Sequence, residues 1–128
     1  MTSTTKTPAP LTFDAFWRWL QEHRNCLLQA GSPDVVLMDH EALHWEFFEE
    51  TDGTAVVQCI LGKALVGEVL IPRSDVLFVQ SSPDLEQPGS QAWNFECIGG
   101  TREDSYPVFT FVLSHGMEAT QGHSVLKH

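Results

Sequence analysis

The chain has 128 residues, 42% of them hydrophobic, with four Trp and eight Phe, a composition that fits one domain with its own core and excludes a disordered chain. Seventeen acids against seven Lys and Arg set a formal net charge of −10, and the resulting field repels phosphate backbones and anionic membranes, so neither nucleic acid nor a membrane is the expected partner. No apolar run reaches membrane-spanning length and the N-terminus lacks the apolar centre of a signal peptide, which leads to the expectation of a cytoplasmic protein.

Residues 1–10 are rich in Thr and Pro without apolar period and read as a flexible tail. From Thr12 to about His23, Phe13, Phe16, Trp17 and Leu20 follow the spacing of one helical face, with Thr12 as N-cap and Asp14 in the first turn. Trp19 falls at the flank of that stripe, where an aromatic side chain can anchor a partner.

Strand signals then recur to the end of the domain. The expected strands are Cys26 to Ala30, Val35 to Met38, Leu43 to Glu49, Ala55 to Leu61, Leu65 to Ile71, Val76 to Gln80, Ala92 to Ile98 and Val108 to Ser114. Turn residues separate them: Gly31-Ser32-Pro33, Thr51-Asp52-Gly53, Gly62-Lys63 and the polar stretch Ser81 to Gln91. Val35–Met38 and Leu43–Glu49 read as a hairpin around Asp39 to Glu41. After Gly116 the periodicity ends, so 11–116 is expected to be a single domain and 117–128 a loose C-terminal tail.

This pattern predicts an α+β fold: an N-terminal amphipathic helix packed on an antiparallel, largely meander β-sheet of about six to eight strands. Alternation turns Leu43, Trp45 and Phe47, Trp93, Phe95 and Cys97, and Phe109, Phe111 and Leu113 toward the helix. The opposite faces carry His44, Glu46, Asn94, Glu96, Thr110 and Ser114. Ala55 to Ile71 is apolar on both faces through Val56, Ile60, Val66 and Leu70, so this hairpin is expected to be buried twice, by closure of the sheet or by a second copy of the chain.

Chemistry-bearing motifs are few. Three widely spaced cysteines without a Cys-x-x-Cys pair point to reduced thiols rather than to a disulfide framework or structural zinc. His40-Glu41-Ala42-Leu43-His44 resembles the His-Glu-x-x-His of the zincin metalloproteases. That resemblance, which covers five residues, implies His40 and His44 as zinc ligands and Glu41 as the base. Random placement yields the pattern in roughly 2% of such sequences, and its meaning depends on a helix. For a helix over 33–50 stand Ser32-Pro33-Asp34 as a cap with Pro at N1 and the helix formers Leu37, Met38, Glu41, Ala42 and Leu43. Against it, no apolar stripe forms on a helical wheel, and the extended form of the motif would need Gly and His where Phe47 and Glu50 stand, so helix and hairpin both stay open. Ser114 beside His115 points to the opposite strand face, and Cys97 with His115 or His44 is a thiol and base only if the strands align them.

No Lys or Arg lies between Gln29 and Gln58, whereas Asp34, Asp39, Glu41, Glu46, Glu49, Glu50 and Asp52 do. The leading expectation is therefore a non-enzymatic interaction module without cofactor. It would meet a protein partner, a basic one if the acids are used, through Trp19, Asp39, Glu41, Glu46, Glu49 and Glu50, or pair with a second copy through the 55–71 hairpin. The alternatives are a zinc hydrolase using the His40–His44 segment, and a small-ligand cleft between helix and sheet with His44, Glu46 and Glu96 as polar groups.

Overall fold

Thr12 opens the fold. In the computed structural model, which describes residues 9–84 and 91–117, its hydroxyl accepts the Ala15 amide at 3.1 Å and caps α1 (Phe13–Glu22). The expected apolar stripe is buried, and Trp19 joins it at 9% exposure. His23 ends the helix, and a 3-10 turn (Arg24–Cys26) leads into the sheets.

Eight antiparallel strands follow among the described residues: β1 (Leu27–Gly31), β2 (Val36–Met38), β3 (Leu43–Glu49), β4 (Ala55–Leu61), β5 (Ala64–Ile71), β6 (Phe78–Pro83), β7 (Trp93–Gly100) and β8 (Ser105–Leu113). The expected α+β class is thus the observed one, with the strands divided between two sheets. One has five strands in the order β2-β1-β8-β7-β6, the other three in the order β3-β4-β5. The expected tails, 1–10 and 117–128, fall almost wholly outside the described residues.

The expected hairpin of Val35–Met38 with Leu43–Glu49 is not formed. β2 turns back on β1, pairing Gln29 with Met38 and Gly31 with Val36, and the Asp39 amide still bonds the Leu28 carbonyl at 2.9 Å. The chain then crosses to the other sheet. There β3 pairs with β4 over seven residues, from Leu43–Leu61 to Glu49–Ala55. That long ladder satisfies more backbone groups than the three residues of β2 offer, and it keeps Trp45 on the buried face.

One core joins the helix and both inner sheet faces. Phe16 stacks on Phe95 at 5.2 Å and meets Phe111 at 5.3 Å, while Trp17 meets Phe47 edge-on at 5.7 Å. The helix therefore covers the seam between the sheets. Trp45 reaches from β3 to donate its indole N–H to the Leu27 carbonyl at 3.1 Å, which gives a buried polar tip its partner. Gly67 of β5 admits the other sheet: a Cβ there would lie 2.6 Å from Leu37 Cδ2.

The 55–71 hairpin is not buried twice within this chain. Its inner residues Ala55, Val57, Cys59, Val69 and Ile71 are buried. On the outer face Val56 is covered, while Leu65, Val66 and Leu70 are exposed.

Candidate functional site

His40-Glu41-Ala42-Leu43-His44 does not lie on a helix. His40 accepts the Ala42 amide on Nδ1 at 3.0 Å and the Leu43 amide on its carbonyl at 2.9 Å, closing a turn that leads directly into β3. His44 is already a strand residue, with Nε2 3.2 Å from Glu46 Oε2. The helical spacing on which the zincin resemblance depends is absent, and among the described residues no group of three His, Cys, Asp or Glu is placed to hold a metal ion. One ring nitrogen of His40 is already engaged in the turn.

The proposed ligand cleft is also divided by the fold. His44 and Glu46 stand on the outer face of β3, whereas Glu96 stands on the outer face of β7 in the other sheet, where its carboxylate accepts from Gln80 at 2.9 Å. The three do not line one cavity between helix and sheet. Alternation placed each on the face away from the core, but it carried no information on which sheet each strand joins.

Of the interaction candidates, Asp39, Glu41, Glu46, Glu49 and Glu50 are exposed. Trp19 is not: it packs between Phe16, Phe95, His23 and His115. Glu49 is engaged with the helix, accepting from Trp17 Nε1 at 3.1 Å and facing Arg73 Nη2 at 2.9 Å. Arg73 also pairs with Asp14, donates to the Gly53 carbonyl at 2.9 Å and lies over the Phe13 ring. Sequence reasoning passed over this arginine because its partners, on α1, at the end of β3 and in the turn after it, are 20 or more positions away. The shallow depression lined by Asp14, Trp17, Arg18, Gln21, Glu49 and Arg73 is the surface of that clamp.

What remains open is the outer face of the three-stranded sheet. The register builds it in rows: Phe48, Val56 and Leu70, with Val56 covered between the two exposed side chains; then Glu46, Gln58 and Glu68; then His44, Ile60 and Leu65. A bulge between Cys59 and Ile60 places Val66 beside the last row. Phe48 and Leu70 are 43% and 47% exposed, Leu65 and Val66 51% and 55%. In the middle row Gln58 donates to Glu68 at 3.0 Å, and Glu46 holds the His44 contact. Acids continue past Phe48 through Glu50 to Asp52, whose carboxyl is held below its ordinary range by the Thr54 amide and then the Thr54 hydroxyl. The face is an apolar field divided by an acidic stripe.

Two thiols are sequestered. Burial pushes Cys97 up to about 12, and burial followed by the charge of Asp39 raises Cys59. His115 faces Cys26, with Nε2 3.2 Å from Sγ. That pair arises because β1 and β8 are neighbours, a long-range fact with no local signature.

Comparison with family models, curated proteins and solved structures finds no match to this chain. Among the described residues no helix is long and apolar enough to cross a membrane.

Proposed function

We propose that this protein is a non-catalytic interaction module that binds a partner presenting apolar side chains on either side of basic ones, through the outer face of β3-β4-β5. The observation that carries this reading is the row order on that face: apolar Phe48–Val56–Leu70, acidic Glu46–Gln58–Glu68, then His44–Ile60–Leu65. Adjacent rows on one face of a sheet are about 7 Å apart, two strand residues. An occupant that matches them places apolar groups about 14 Å apart with Lys or Arg between.

Charge favours such a partner over a second copy of this chain. A two-fold axis through the face would set the Glu46–Gln58–Glu68 row against its own image. Like charges opposed in a desolvated contact cost binding energy, and each chain already carries −10. Exposed apolar groups such as Phe48 and Leu70 gain from being covered, and the acidic stripe then selects the cover.

The test is selection of random displayed peptides against the wild type, with the Phe48→Thr, Leu70→Thr double variant as counter-target. The expected consensus is rich in Lys or Arg between apolar residues, binds less well in high salt and is lost on Glu46→Lys or Glu68→Lys. Peptides that bind the counter-target equally, or a consensus without basic residues, would overturn the reading. A concentration-dependent dimer that the double variant abolishes would assign the face to self-association instead.

A further inference from the structure

We propose that Cys26 is the nucleophile of a thiol–imidazole pair with His115 as its base, forming a modification site for low-molecular-weight disulfides. Cys26 is fixed from both sides by the backbone. Its amide bonds the His23 carbonyl at 2.9 Å at the end of the 3-10 turn, and its carbonyl accepts the Ser114 amide at 2.9 Å just past β8. The second bond delivers the next residue, His115, onto the thiol, with Nε2 3.2 Å from Sγ.

Further contacts of the imidazole orient it. Its Nδ1 lies 3.2 Å from the Gly116 carbonyl oxygen. A carbonyl only accepts, so the contact requires a proton on Nδ1, which leaves Nε2 of the neutral ring as the acceptor facing the thiol. Trp19 meets the ring edge-on at 5.8 Å and His23 at 5.3 Å, so its plane is held by packing. His23 is itself tied through Nδ1 to the Trp19 carbonyl at 2.8 Å. A nucleophile, a base within reach and a third group orienting the base are the parts that activate a thiol.

The chemistry follows with its atoms balanced. Cys26 Sγ–H passes its proton to His115 Nε2, and the thiolate attacks one sulfur of a disulfide R–S–S–R. A bond between Sγ and that sulfur forms as the R–S–S–R bond breaks. The departing R–S⁻ takes the proton from the imidazolium and leaves as R–SH. Cys26 ends oxidised in a mixed disulfide, and the released half of the reagent is reduced to thiol.

Disulfide exchange is favoured over acyl transfer by the backbone around the sulfur. The amides of Cys26 and Ser114 are both spent on carbonyls, so neither is available to stabilise the oxyanion of a tetrahedral intermediate. Exchange at sulfur forms no such oxyanion. Access separates the thiols as well, because Cys26 is half-buried while Cys59 and Cys97 are buried.

The experiment measures mass addition by oxidised glutathione to the native wild-type protein at neutral pH, mapped to individual cysteines. Cys26 is expected to react first, about tenfold or more faster than in the same protein unfolded in guanidinium, where the pairing is gone. His115→Gln should slow native Cys26 by about tenfold or more, and Cys26→Ser should remove the fast addition. Native Cys26 reacting no faster than unfolded Cys26, or first addition at Cys59 or Cys97, would overturn the proposal without recourse to any variant. An unchanged rate in a folded His115→Gln protein would overturn the role of the imidazole.

Discussion

Trp17 of α1 donates its indole Nε1–H to Glu49 Oε2 at 3.1 Å, across 32 positions of sequence. The same oxygen lies 2.9 Å from Arg73 Nη2. Through it the helix, the end of β3 and the 3-10 turn after β5 (Arg73–Asp75) share one anchor. Removing Arg73 takes away the bond to Gly53 O, two carboxylate contacts and the cover over Phe13. Arg73→Ala is expected to cost about 2 kcal/mol, and Trp17→Phe about 1 kcal/mol. Because both act on Glu49, the double variant should lose less than the sum, measured by urea unfolding. Strict additivity would mean that the three groups do not work together.

The seam between helix and five-stranded sheet depends on Phe16, which is fully buried and contacts Phe95 and Phe111. Phe16→Ala should destabilise the fold by about 3–5 kcal/mol. Phe48→Thr, on the outer face of β3, should cost about 1 kcal/mol or less, since Thr suits a strand and the lost ring was 43% exposed. A large loss at Phe48 in the isolated protein would show that the outer face is structural rather than a contact surface.

Glycine at two turns gives a graded comparison. Gly53 has φ +92° with open space where a Cβ would stand; Gly100 has φ +95° with its Cβ position against the Asp104 carbonyl oxygen and the Tyr106 ring. Gly53→Ala bears only the backbone cost, about 1 kcal/mol. Gly100→Ala adds a clash with main chain that cannot rotate away, for a total of about 2–4 kcal/mol by thermal unfolding. Equal losses would indicate that the Asp104 turn moves aside.

Asp52 supplies a pH dependence. Its carboxyl is lower in the folded protein than in the unfolded chain because the Thr54 amide and hydroxyl bond the charged form. The folded state therefore gains above the unfolded carboxyl range, and loses that gain as pH falls through the folded value. Asp52→Ala should be less stable than wild type near neutrality, with the difference shrinking in acid. A difference that stays constant into strong acid would show that the carboxylate charge plays no part.

The sequence by itself determined the order and type of the elements and the faces of most strands, but not every bound: β6 runs on to Pro83 and β8 begins at Ser105, inside stretches that read as polar connections. Thr12, the 3.6-residue aromatic spacing of α1 and the alternation of Trp45, Phe95 and Phe111 are local patterns set by backbone geometry, and each holds in the structure. The pairing of strands was decided only in three dimensions. Whether β2 meets β1 or β3 depends on which ladder satisfies more backbone groups while keeping one core, a comparison between distant segments that no window of sequence contains. That pairing separated His44 and Glu46 from Glu96, placed the His40–His44 segment on a turn and a strand, and brought Cys26 to His115. It also aligned Phe48 and Leu70, exposed on either side of the covered Val56, in one row of the outer face. Side-chain chemistry was legible residue by residue, but proximity was not, because proximity here is a property of the register between strands.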